Sequence, residues 1–162
     1  MDRLLPLARE AANLLKARKE TVGIAESSSG GLIVAALLAI PGASEFCRGG
    51  YVIYTRNVLY SLRDVEKDTL RGLTPATEAY ALFEAKLARE KLRADWGLGE
   101  SGAAGPTGNS YGNPPGHTCV AIVGHGSRTA TLNTGENDRV ENMQAFAEAA
   151  LELLVQAVKA AP

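Results

Sequence analysis

The chain has 162 residues, 46% of them apolar and 22% charged, which suits one globular domain with a real core and excludes disordered and fibrous classes. Its 17 Lys and Arg nearly balance 18 Asp and Glu, for a formal net charge of -1, so no global field draws it to nucleic acid or to an anionic membrane. Aromatic residues, at 6%, are too sparse for a strand-binding groove. Cys47 and Cys119 are far apart in apolar surroundings, as buried thiols of a reducing compartment would be. The charged first twenty residues hold no signal-peptide core and no window is apolar enough to cross a bilayer, which predicts a cytoplasmic protein with no membrane partner.

In chain order, residues 3–19 place Leu4, Leu7, Ala8, Ala11, Leu14 and Leu15 on one face of an amphipathic helix. Val22 to Glu26 reads as a strand, followed by a polar turn of three serines and two glycines. A helix from Gly30 to Ile40 follows, stopped by Pro41-Gly42. The alternation Tyr51 to Tyr54 predicts a second strand, with a bulge at Gly49-Gly50. Short helices are expected around Val58–Leu62 and Lys67–Leu70. Thr74-Pro75 then opens a long helix to Leu92, with Thr74 as its cap and Glu84 on its solvated face.

Asp95 to Gly99 predicts a third strand running into the glycine-rich segment Gly102 to Gly116, a loop long enough to be functional. His117–Val123 and Arg128–Thr134 form a hairpin around Gly124-His125-Gly126. A last helix, Glu136 to Ala157, carries Met143, Phe146, Ala147, Ala150, Leu151, Leu154 and Val158 at helical steps. This order predicts an α/β fold, a three-layer α/β/α sandwich on a mixed sheet. Its site is expected where loops leave the strands' carboxyl ends.

TVGIAESSSGG, Thr21 to Gly31, is the chemically richest stretch. Ser27, Ser28 and Ser29 suit helix caps, and a serine there can equally be a nucleophile beside the unpaired first amides of a helix. The chain has no phosphate-loop lysine, no GxGxxG in strand-to-helix position, and only two histidines, His117 and His125, without Cys, Asp or Glu at ligand spacing. No metal site and no cofactor are predicted.

AESSSGGLIVAALLAIPGAS from Ala25 and FCRGGYVIYT from Phe46 resemble the carboxy-terminal domain of the CinA family, whose pattern reads approximately AESCTGG, a PG.S turn and RGFVTYSNEAK. The likeness continues in SGAAGP at Ser101 to Pro106, in the G.T..A run from Gly116 and in the AEAALELL ending, so that it covers nearly the whole chain. The resemblance implies hydrolysis of the amide of nicotinamide mononucleotide to nicotinic acid mononucleotide and ammonia, with Ser27 as nucleophile and Tyr54 beside it. It also implies substrate contacts from Glu26, Ser28, Ser29, Gly30, Gly31, Gly102, Ala103, Ala104, Gly105 and Arg139, a small-molecule nucleotide as the partner, and a homo-oligomer.

The chain departs from the pattern at the base. The family lysine five positions after the tyrosine is Leu59 here, and leucine accepts no proton. Arg56 and Tyr60 are poor substitutes at neutral pH, and Lys67 serves only if its loop folds back. The family GDR becomes Gly135-Glu136-Asn137, with Arg139 displaced from the expected arginine. Two readings follow: an amidohydrolase acting on nicotinamide mononucleotide or a related amide with a modified base, and, as the alternative, a non-catalytic pyridine-nucleotide-binding module or a divergent amidase with another substrate.

Overall fold

A computed structural model describes residues 1–62 and 67–162, without the side chains of Lys67 and Thr69. The helices are α1 (Leu5–Arg18), α2 (Leu32–Leu38), α3 (Arg56–Ser61), α4 (Glu78–Lys91) and α5 (Arg139–Lys159). The strands are β1 (Val22–Glu26), β2 (Cys47–Val52), β3 (Trp96–Ala103), β4 (His117–Val123) and β5 (Ser127–Asn133). They form one mixed sheet in the order β2-β1-β3-β4-β5, with β1 parallel to both neighbours and the β3-β4 and β4-β5 pairs antiparallel. The fold is α/β, as expected, and none of the described helices is long and apolar enough to cross a membrane.

β1 is buried on both faces, as a strand between two parallel neighbours must be when helices cover both sides. Val22, Ile24, Trp96, Leu98, Val120 and Ile122 meet Leu15, Phe46, Leu151 and Leu154 in the larger core, which also holds the buried faces of α1, α2 and α5. On the other face α4 lies against β3, and Ala25, Ile53, Leu59, Leu70, Tyr80, Leu87 and Ala88 form a second cluster. The approach of α4 explains Gly99: a Cβ there would overlap the Ala81 carbonyl oxygen, so a side chain would push the helix off the sheet.

Several boundaries differ from the sequence reading, each for a local reason. β2 starts at Cys47 and contains both glycines; its register against β1 slips between Val22 and Gly23, so the bulge lies within the strand. α4 begins at Glu78 instead of Thr74, because Ala76 takes a left-handed conformation at φ 58° that a helix cannot contain. Thr77 is therefore the cap, its Oγ1 accepting from Tyr80 N at 3.2 Å. β3 runs on to Ala103, so Glu100, Ser101 and Gly102 are strand residues. Glu84 points into the molecule and is 0% exposed, the reverse of its expected place on the solvated face.

Candidate functional site

The turn after β1 is built around two glutamates on adjacent strands, Glu26 and Glu100, paired in register. Both are completely buried. Glu100 accepts from Ser27 N (3.1 Å), Ser29 N (2.9 Å), Ser29 Oγ (2.9 Å), Thr118 Oγ1 (2.7 Å) and, in a short bond, Ser28 Oγ. Glu26 accepts from Ser29 Oγ (2.6 Å), Gly31 N (3.0 Å), Ile33 N (3.1 Å) and Val34 N (2.9 Å). Buried carboxylates need such donors, since an unpaired buried charge costs several kcal/mol, on the order of 3–5. Burial pushes the Glu26 carboxyl above its ordinary range, against the pull of Ser29 Oγ and the backbone amides. Ser29 Oγ lies within hydrogen-bond distance of both carboxylates and so ties Glu26 to Glu100.

This network corrects one expectation about the turn. The first amides of α2 were expected to be unpaired beside the serines, but Gly31, Ile33 and Val34 donate to Glu26. Glu26, Ser29, Gly30 and Gly31 form the scaffold of the turn and line neither hollow of the cleft described below. Gly31 sits at φ 97° as α2 begins, a conformation that strains any L side chain.

The scaffold leaves Ser27 facing a cleft. One hollow of about 290 Å³ is lined by Ser27, Ile53, Tyr54, Arg56, Ser101 and Tyr111, with Tyr80 and Asn109 among the remaining walls. A second, of about 230 Å³, is lined by Ser28, Gly102, Ala103, Ala104, Gly105 and Arg139, with Tyr54 and Asn109 again part of the wall. Tyr54, Gly102 and Asn109 border both, so the two read as one elongated small-molecule site. Arg139 lines the second hollow, donating from Nη1 to Gly105 O at 2.7 Å and from Nη2 to Tyr54 Oη at 2.9 Å. The displaced arginine thus reaches the glycine loop. A separate hollow of about 230 Å³ lies at the far end of the sheet, beside Trp96 and His125.

Among the described residues no base accompanies Ser27: its Oγ makes no hydrogen bond there, and no described histidine, lysine or carboxylate lines either hollow. Leu59 is 0% exposed in the cluster with Ala25, Ile53 and Tyr80. Tyr80 lines the cleft, but burial and then Glu84 push its phenol well up, so it stays protonated. The Lys67 side chain lies outside the described residues.

Cys119, unlike Ser27, has a histidine neighbour, but the pair is not arranged for proton transfer from the thiol. Cys119 Sγ lies 3.7 Å from His117 Nε2, and Asn133 Oδ1 lies 2.8 Å from His117 Nδ1. Burial raises the Cys119 thiol, and His117 Nε2 sits 3.0 Å from Ala76 O, where it must carry a hydrogen and cannot accept one.

Of the residues named from the sequence, Ser27, Ser28, Tyr54, Gly102, Ala103, Ala104, Gly105 and Arg139 line the two hollows. Sequence reasoning missed Glu100, whose signal was a lone carboxylate among the small residues of GLGESG, and it missed Ser101, Asn109 and Tyr111 as lining groups. The fold and the cleft together define an α/β/α domain with a serine turn at the carboxyl end of its central parallel strand.

The family model "CinA C-terminal domain" matches residues 4–158, and the chain belongs to that family. It is 34% identical to a CinA-like protein of Desulforapulum autotrophicum over 93% of this chain and 36% of that one. It is 36% identical to a CinA-like protein of Prochlorococcus marinus over 80% of this chain and 30% of that one. The chain thus spans about a third of the length of these curated relatives. Among solved structures it is similar to the competence/damage inducible protein CihA from Agrobacterium tumefaciens, with a TM-score of 0.87, 30% identity and coverage of 97% and 96% of the two chains. It is also similar to a CinA superfamily protein from Klebsiella pneumoniae, with a TM-score of 0.88, 25% identity and coverage of 96% and 98%.

Proposed function

We propose that this domain binds a pyridine mononucleotide in the Ser27 cleft, with the ring substituent toward Ser27 and the phosphate toward Arg139, and that it does not hydrolyse the amide efficiently. One observation carries the reading: the nucleophile's pocket is formed, while the position of the family lysine is a leucine sealed in apolar side chains. A serine without a base loses on the order of 10²–10⁴ in rate. The oxyanion donors expected from α2 are held by Glu26, which removes a second contribution to amide cleavage.

Hydrolysis by Ser27 is the second reading, favoured by its Oγ facing the cleft without a hydrogen-bond partner among the described residues. Incubation with nicotinamide mononucleotide separates the two. Binding alone predicts a raised melting temperature and ammonia release no faster than from the Ser27→Ala variant. Release that depends on Ser27 supports hydrolysis, and folded protein whose melting temperature the nucleotide leaves unchanged overturns both.

A further inference from the structure

Two guanidinium groups face the cleft and, among the described residues, no carboxylate does. Arg56, exposed at the start of α3, lines the Ser27 hollow and has no acidic partner among the described residues. Its guanidinium lies 5.9 Å from the centre of the Tyr111 ring. Tyr111 is presented by a self-closed turn: Asn109 Oδ1 accepts from Tyr111 N at 3.1 Å and from Asn113 N at 3.0 Å, while Asn109 Nδ2 donates to Asn113 Oδ1 at 3.0 Å. The position of Arg56 is thus tied to a structured part of the glycine loop.

At the other hollow, Arg139 bonds only to neutral oxygens, Gly105 O and Tyr54 Oη. Glu26 and Glu100 are sealed behind the turn by their own donors, Glu84 is buried away from the lining, and Asp138, next to Arg139, accepts from Val140 N and Glu141 N as the cap of α5.

A mononucleotide presents one phosphate, which matches Arg139. Arg56 is then left at the Ser27 end, where the substituent of the pyridine ring comes to lie. A carboxamide there is neutral and gives a guanidinium one acceptor oxygen. A carboxylate is anionic and accepts two parallel N–H bonds from the fork. We infer that the cleft selects the acid form of the nucleotide, whose ring carries a carboxylate, over the carboxamide form, with Arg56 as the specificity-determining residue. This rests on the reading of the cleft as a pyridine-mononucleotide site. It places the domain after the chemistry its relatives' pattern suggests: an amide hydrolysis elsewhere must supply the ligand.

The test is isothermal titration calorimetry on the full chain with nicotinic acid mononucleotide and nicotinamide mononucleotide, using Ser27→Ala for both so that heat records binding alone. The expected result is affinity for the acid form roughly tenfold or more above the amide, as a charge-assisted pair gives over a neutral one. Arg56→Gln should remove the preference, Arg56→Lys should retain part of it, and Arg139→Gln should weaken both ligands. Equal affinities, tighter binding of the amide, or a preference that survives Arg56→Gln overturns the inference while leaving the nucleotide site standing. Absence of binding by either nucleotide to folded protein overturns the site itself and the preference with it.

Discussion

Glu100 and Glu84 are the same residue type, both completely buried, on a strand and a helix that pack together, yet their surroundings are opposites. Glu100 gathers the amides of Ser27 and Ser29 and the hydroxyls of Ser28, Ser29 and Thr118. Glu84 has no hydrogen-bond partner for either oxygen among the described residues. Burial, with Glu100 adding repulsion, holds its carboxyl well above the ordinary range, so it stays neutral. A carboxylate given donors shapes a site, whereas one without them is an acid stored in the core at a cost. The contrast sets the donor-rich β1 turn apart from the apolar interface of α4 with the sheet.

The comparison breaks most sharply at Glu100. Glu100→Ala leaves buried donors from three serines and a threonine without their acceptor, and is expected to cost about 3–5 kcal/mol by chemical denaturation. The same variant should abolish nucleotide binding even where the chain still folds. A loss below about 1 kcal/mol would mean that the turn holds itself.

Glu84 should move the other way. Glu84→Met keeps volume and removes the orphaned oxygens, so it is expected to stabilise the chain by about 1–3 kcal/mol in the same denaturation experiment. Destabilisation would show that the carboxyl has a structural partner.

The smallest effect is the pH dependence. The unfolded Glu84 releases its proton near 4.5 and the folded one holds it well above that value. Its favourable contribution is therefore complete below 4.5 and is lost as pH rises from 4.5 toward the folded value. Glu84→Met should flatten that fall relative to the native chain, and an unchanged slope would contradict the raised carboxyl.

Sequence pattern made the frame legible where one period dominated. The stripe from Phe146 to Val158 marked α5, and the runs either side of Gly124-His125-Gly126 marked the β4-β5 hairpin. Glu84 was misplaced because charge alone assigns a residue to solvent, while the small residues Ala81, Ala85 and Ala88 bring this face of α4 onto the sheet. Thr77 was passed over as a cap because Pro75 is a good helix opener, and the left-handed turn at Ala76 cannot be read from an alanine. At the site, Ser27, Tyr54 and the glycine loop were legible as motif. The capture of the α2 amides by Glu26 was not, since it depends on where the side chain folds back over the turn.

The central claim is a nucleotide cleft without a working base. It is tested most directly by a crystal structure of the chain grown with nicotinamide mononucleotide. The account predicts an intact nucleotide with its phosphate against Arg139 and its ring substituent beside Ser27 Oγ. A nicotinoyl ester on Ser27 or a fully deamidated ligand accumulated by the protein's own turnover would contradict it, as would a nucleotide bound away from this cleft.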